Sequence, residues 1–282
     1  MSIPIIINAF DNQASNNQPT FLSNIPSTCY IVGAKKAGKS SLLLNILTDK
    51  NAYYQKFNNI IFCSPTASLD EKIQKLREYD LLKVNIPLIK KINTDIIKNN
   101  KFILKNIALL GEQPNLQDLI DPGDIETKMQ DDNFIQELTI DTLKSIIEHQ
   151  KNIITKYNKS VADQVLIVLD DAICDDIIKS KEFRKCIFLS RHYKISVIFL
   201  SQNYYSLPKN LRLNNSQLLC FETGNIKEIE SIYNENNVGI SIKQFIELYD
   251  EIMNEPYSFI NFNYNNDKKH RIINCFKNFL EY

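Results

Sequence analysis

Residues 33–40 read Gly-Ala-Lys-Lys-Ala-Gly-Lys-Ser, the spacing G-x-x-x-x-G-K-S. Residue types in that order can hold a chain of phosphates. Gly33 and Gly38 lack a Cβ, so the backbone can turn tightly and bring its N–H groups to anionic oxygens. The contacting stretch is expected to run through Gly33, Ala34, Lys35, Lys36, Ala37, Gly38, Lys39, Ser40 and Ser41. Lys39 is expected to reach the β- and γ-phosphates of ATP, and the Ser40 hydroxyl to take a position on Mg²⁺. Two acids, Asp170 and Asp171, close the apolar run Gln-Val-Leu-Ile-Val-Leu-Asp-Asp at 164–171. Asp170 suits Mg²⁺, mostly through water, and Asp171 suits orienting or deprotonating an attacking water. Gln202 closes a second apolar run, 195–201, where an amide can sense the γ-phosphate or position water. Each feature has a plainer reading: a Gly-containing turn, an Asp-rich strand end, a glutamine that opens a loop. The first motif outweighs its alternative because its flanks are a β-prone run, 28–32, and an apolar helical run, 41–47.

The elements that must position these residues follow from periodicity. Short continuous apolar runs at 59–64, 164–171, 195–201 and 217–222 are expected as strands buried on both faces. Helical spacing marks 68–79, 127–157, 175–194, 226–237 and 241–254. Between 83 and 123 the periodicity weakens and Pro87, Pro114 and Pro122 interrupt it. Residues 204–215 read as a loop and turn carrying Arg212, and 257–264 and 271–276 as a hairpin extending the sheet at one edge. The fold class expected is α/β, a doubly wound, mostly parallel sheet flanked by helices, with the site at the carboxyl ends of the strands. Residues 1–27 are expected as an arm and 28–282 as a single domain.

Composition narrows the function. Lys plus Arg and Asp plus Glu number 33 each in 282 residues, so no overall field attracts nucleic acid and any such contact must come from a local patch. The basic run 179–194, with Lys179, Lys181, Arg184, Lys185, Arg191 and Lys194, is one such patch, or simply a solvated helix face. Six cysteines without a C-x-x-C pair read as reduced core residues, three scattered histidines suggest no metal site, and no stretch has the length of a membrane span. A soluble, unsecreted protein is expected.

The blocks GAKKAGKS, VLIVLDD and SRHYKISVIFLSQNYYSLPKNLRLNN, in that order, resemble the FtsK–HerA branch of P-loop ATPases. They are most similar to the genome-packaging ATPases of large cytoplasmic DNA viruses, virophages and related membrane-containing phages. The resemblance implies an ATP-driven, homo-oligomeric ring that moves double-stranded DNA into a capsid, with a capsid or portal-vertex protein as a further partner. It places the chain in host cytoplasm or the virion. Many members carry Asp-Glu where this chain has Asp170-Asp171. Lys35 and Lys36 resemble the basic loop residues of viral members, which face phosphate or a neighbouring subunit. A ring also implies an arginine acting across the interface, and Arg191 and Arg212 both stand where one is expected. Rival functions are a conjugation or segregation motor, and a nucleotide-binding scaffold without turnover.

Overall fold

The computed structural model describes residues 20–64, 134–135, 138–157, 159, 162–171, 175–236 and 239–280. The helix expected at 68–79, the region 83–123 and Cys174 lie outside them. The strands are β1 (Thr28–Val32), β2 (Asn59–Cys63), β3 (Phe134–Ile135), β4 (Val165–Asp170), β5 (Ile195–Ser201), β6 (Gln217–Phe221), β7 (Phe259–Asn263), β8 (Ile272–Asn274) and β9 (Asn278–Phe279). The helices are α1 (Lys39–Thr48), α2 (Ile140–Tyr157), α3 (Asp175–Lys179), α4 (Lys181–Ser190), α5 (Lys209–Arg212), α6 (Ile226–Asn236) and α7 (Ile242–Met253).

Among the described residues these strands form one nine-stranded sheet, ordered β3-β2-β4-β5-β1-β6-β7-β8-β9. Pairing is parallel from β3 through β6 and antiparallel from β6 outward. The C-terminal strands thus extend one edge, as their turn-linked pattern predicts. Val165, Ile167 and Leu169 of β4 join Tyr30, Val32 and Phe199 in one core, while Leu166 and Val168 join Ile31, Ile198 and Leu200 in the other. Burial on both faces is why these strands read as unbroken apolar runs. Each fully buried Val, Leu or Ile side chain contributes about 1.5–3 kcal/mol. The first core is covered by α2, α4, α6 and α7, through residues such as Ile146, Phe183, Ile232 and Phe245. The second is covered by Leu42, Leu43, Ile46 and Leu47 of α1, with Phe21, Leu22 and Phe276.

Three expectations need correction. The helix expected over 127–157 is helical only from Ile140 among the described residues; Phe134–Ile135 is a strand that takes up the edge of β2, with Phe62 opposite Phe134. The open edge of a sheet offers backbone partners that an aromatic and a β-branched residue accept readily. The helix expected over 175–194 breaks at Ser180, which is extended (φ −67°, ψ 149°) and whose hydroxyl accepts the Phe183 N–H at 3.0 Å, capping α4. The loop expected over 204–215 contains a 3₁₀ turn, Tyr204–Ser206, and the short helix α5 behind Pro208.

Of the stretch 1–27, residues 20–27 are described, and they lie against the sheet. The Phe21 carbonyl accepts from Gln217 Nε2 and Asn261 Nδ2, each at 2.8 Å, and the Thr20 carbonyl from Asn263 Nδ2 at 2.8 Å. Gln217, Asn261 and Asn263 are wholly buried in strands, and the segment supplies acceptors to their amides. Cys29, Cys63, Cys186, Cys220 and Cys275 are buried and unbridged. Among the described residues no helix is long and apolar enough to cross a membrane.

Candidate nucleotide site

The loop leaving β1 has little freedom. A Cβ built on Gly33 would lie 2.5 Å from Cβ of Phe221 on β6, so only glycine fits there. The Gly33 N–H donates to the Ser201 carbonyl at 3.2 Å and the Ala37 N–H to Ala34 at 3.2 Å, closing the loop. Gly38 has a left-handed backbone (φ 109°) and caps α1, whose first turn has neither a side-chain cap nor an acid. That leaves the N–H groups and the positive end of the helix to an anionic ligand. Ala34, Lys35 and Lys36 are exposed at the loop's tip, and Ala37, Ser40 and Ser41 are half-buried. Lys39 is buried, its Nζ donating to the Gly33 carbonyl at 2.7 Å and the Ala34 carbonyl at 3.0 Å. The ammonium therefore spans the mouth of the loop.

The acids arrive from β4. β5 lies between β1 and β4, and the three strands end together: Val32 is opposite Ser201, and Asp170 opposite Leu200. Asp170 is half-buried; Asp171 is exposed, turned off the strand by a left-handed backbone (φ 47°). Gln202 Nε2 donates to Asp171 Oδ2 at 2.9 Å. Burial pulls the Lys39 pKa below its usual value, and the charges of Asp171 and then Asp170 oppose that pull. Lys39 and both acids thus share one field. Ser40 and Asp170 present hard oxygen donors at this edge, the chemistry Mg²⁺ favours when ligand oxygens and water complete its shell. Among the described residues no group of three or more His, Cys, Asp or Glu could hold a metal by itself.

Sequence reasoning missed what fixes Gln202. The buried Tyr30 hydroxyl lies 3.1 Å from Ser201 Oγ and donates to the Asn203 carbonyl at 2.7 Å. Glu228, also buried, accepts the Tyr204 N–H at 3.2 Å and the Thr223 hydroxyl at 2.7 Å. The only sequence signal was a polar tip on Tyr30 inside an apolar strand.

The two arginines are not brought to this chain's own loop. Arg212 donates from Nε and Nη2 to Glu235 at 2.9 and 2.6 Å and from Nη1 to the Leu207 carbonyl at 2.6 Å, over the Tyr204 ring at 4.5 Å. With both side chains nearly buried, Arg212 is held within its own subunit by Glu235 and the Leu207 carbonyl. Arg191 is exposed and precedes β5, at the sheet edge opposite Gly33. The seven residues of β5 put roughly 20 Å between those edges. The basic run divides likewise: Arg184 Nε donates to the Ser180 carbonyl at 3.2 Å and Lys194 Nζ to the Ala162 carbonyl, whereas Lys179, Lys181 and Lys185 are exposed.

The model of the poxvirus A32 protein family matches residues 88–260, more than half of the chain and inclusive of both acids, Arg191, Gln202 and Arg212. The chain belongs to that family. For this A32-family member the resemblance to FtsK–HerA-type packaging ATPases, read from three sequence blocks, stands. Its phosphate loop, residues 33–40, lies outside the matched range. Among curated proteins none matches by sequence. Among solved structures, the chain is similar to the genome-packaging NTPase B204 of Sulfolobus turreted icosahedral virus 2 bound to AMP, at 13% identity over 85% of this chain and 93% of that one, with TM-score 0.44. It is similar to the DNA-packaging ATPase B204 of Sulfolobus turreted icosahedral virus at 14% identity, 85% and 93% coverage and TM-score 0.45. It is also similar to VirB4 of Thermoanaerobacter pseudethanolicus, at 13% identity over 88% of each chain with TM-score 0.44. These likenesses are slight, and the functional reading rests on the family and on the site's own geometry.

Proposed function

We propose that the protein is an ATP-hydrolysing motor that moves double-stranded DNA, packaging a viral genome into a capsid. The observation that carries the reading is the convergence of Lys39, Asp170, Asp171 and Gln202 at the carboxyl ends of adjacent strands, around a glycine-shaped phosphate loop. The N–H groups of the loop and of the α1 start hold the phosphates, and the Lys39 ammonium offsets the charge on the β- and γ-groups. Ser40 and Asp170 would hold Mg²⁺, which would supply further charge neutralisation in the site. Asp171 accepts the proton of the attacking water, and the Gln202 amide holds that carboxylate in place.

Arg191 lies too far from its own loop to act there, so its role is on the γ-phosphate of a neighbouring copy in a homo-oligomeric ring. The DNA track is assigned to exposed lysines. Lys181 and Lys185 of α4 face Lys144 and Lys151 of α2 across a groove of about 520 Å³ whose acids are Glu148 and Glu182. Contacts of lysine to phosphate are independent of base sequence and weaken steeply with salt. A capsid or portal-vertex protein is the expected docking partner, in host cytoplasm or the virion.

The test is the ATPase rate of the purified protein with and without double-stranded DNA. A rise that is insensitive to DNA sequence and lost with added salt is expected. Replacing Lys181 and Lys185 by alanine should cut the stimulated rate more than the basal one, whereas Lys39→Ala should abolish both. A rate indifferent to DNA overturns the motor reading, and full turnover in Lys39→Ala overturns the nucleotide site.

A further inference from the structure

If the proposed site binds a nucleoside triphosphate, its geometry also sets the direction in which that molecule lies. Asp171 and Gln202, at the ends of β4 and β5, mark the γ-phosphate end, and the loop following β1 holds the chain of phosphates. The nucleoside must then extend the other way along the sheet edge, past β1 toward β6 and β7. Tyr257 stands there. It stands two residues before β7, and the first residue of β7, Phe259, pairs with Phe221, the last of β6, so Tyr257 lies at the same edge as the loop.

Its environment is unusual for a tyrosine. A Cβ built on Gly38 would lie 3.4 Å from Cδ1 of Tyr257 and 3.5 Å from Cε1 of Phe221, placing the tyrosine ring beside the residue that caps α1. The ring is nonetheless 58% exposed. The backbone of Tyr257 is left-handed, with φ 64°. It is the third residue of a turn from Glu255 to Ser258, closed by the Ser258 N–H on the Glu255 carbonyl at 3.2 Å, with Pro256 second. A positive φ at that position suits glycine or asparagine, and a bulky aromatic there is strained. The turn is anchored by the Lys277–Glu255 ion pair at 2.5 Å and by the adjoining rings of Phe221, Phe259 and Phe276, at centroid separations of 5.2 Å. Strain that is held in place by surrounding packing, at an exposed ring beside a ligand loop, marks a functional contact.

We propose that Tyr257 is the platform on which the base of the bound nucleotide stacks. The contact uses the ring face, so it accepts any nucleobase and adds affinity without selecting among bases. This assignment rests on the nucleotide reading of the loop, and the test separates the two. Binding of ATPγS and of inorganic tripolyphosphate, which lacks a base, is measured with Mg²⁺ for the parent, Tyr257→Gly, Tyr257→Phe and Lys39→Ala. Glycine suits the left-handed backbone, so Tyr257→Gly should unfold at no lower temperature than the parent. It should bind ATPγS about tenfold more weakly, in line with loss of one base–aromatic stack, and tripolyphosphate unchanged. Tyr257→Phe, which keeps the ring face, should bind ATPγS within about twofold of the parent. Unchanged ATPγS affinity in Tyr257→Gly, an equal loss for both ligands, or a Tyr257→Phe defect as large as that of Tyr257→Gly overturns the assignment. Lys39→Ala should weaken both ligands together. A parent that binds neither ligand overturns the nucleotide site and this platform with it.

Discussion

Arg212→Met should destabilise the protein without touching the chemistry, and its magnitude follows from what it leaves behind. Arg212 and Glu235 form a two-pronged ion pair, their side chains only 7% and 10% exposed. Burial pushes the Glu235 carboxyl up, but hydrogen bonds from Arg212 and Tyr204 outweigh it and hold the group below its usual value, so it is charged. Removing the guanidinium leaves that carboxylate with the Tyr204 hydroxyl at 2.9 Å and the charge of Lys209, and removes the donor to the Leu207 carbonyl. Breaking one partner of a buried pair costs about 3–5 kcal/mol. With a urea slope of about 3 kcal/mol/M, the unfolding midpoint should fall by about 1–1.7 M. Adding Glu235→Leu removes the stranded charge and should restore part of the loss. A remainder of about 1–3 kcal/mol is expected because the Tyr204 hydroxyl keeps no acceptor there. The assay is urea unfolding of the parent, the single variant and the double variant, with ATPase measured well below the midpoint. If Arg212→Met unfolds with the parent yet loses hydrolysis, the pair is not structural and Arg212 acts across an interface.

Three further outcomes follow. Asp171→Asn should leave nucleotide binding nearly intact and remove hydrolysis, since an amide keeps the shape but takes no proton, whereas Asp170→Asn should weaken Mg²⁺-dependent binding; normal turnover by Asp171→Asn would show the two roles to be misassigned. Arg191→Ala and Lys39→Ala subunits should each be inactive alone and recover part of the activity when mixed, because some interfaces then pair an intact loop with an intact arginine. Absence of recovery in demonstrably mixed rings counts against Arg191 acting in trans. Burial raises the Cys63 pKa to about 12 from an ordinary value of 9.0, and raises those of Cys29, Tyr30 and Tyr53 as well. The unfolded chain releases these protons first, so their contribution is complete below about pH 8.5–9 and declines as pH rises toward 12. Under reducing conditions the urea midpoint should be lower at pH 10 than at pH 8; an equal or higher midpoint at pH 10 contradicts this.

The sequence by itself determined the parts of the site that are local. Gly33 to Ser41 carries a local signal, because Gly38 takes a left-handed turn and the flanking strand and helix announce themselves by unbroken and 3.6-residue apolar patterns. The parallel strands β1, β2, β4, β5 and β6 were legible to within a residue or two for the same reason: a segment buried on both faces is dominated by apolar residues.

Tertiary structure decided what depends on neighbours distant in sequence. That Arg212 pairs with Glu235 follows from the packing of two segments, since periodicity places Glu235 only on a surface helix. That Arg191 stands at the far edge from its own loop follows from strand direction, and that Gln202 meets Asp171 follows from β5 lying between β1 and β4. The seat of residues 20–23 depends on buried amides of β6 and β7 that read, in sequence, as ordinary polar interruptions. Tyr257 gave no signal at all, since a tyrosine after Pro256 looks like any turn until the fold sets its ring beside Gly38. Backbone preference and hydrophobic period are properties of a short segment, whereas ion pairing, ring contacts and amide satisfaction belong to pairs of segments, and only the packed sheet chooses those pairs.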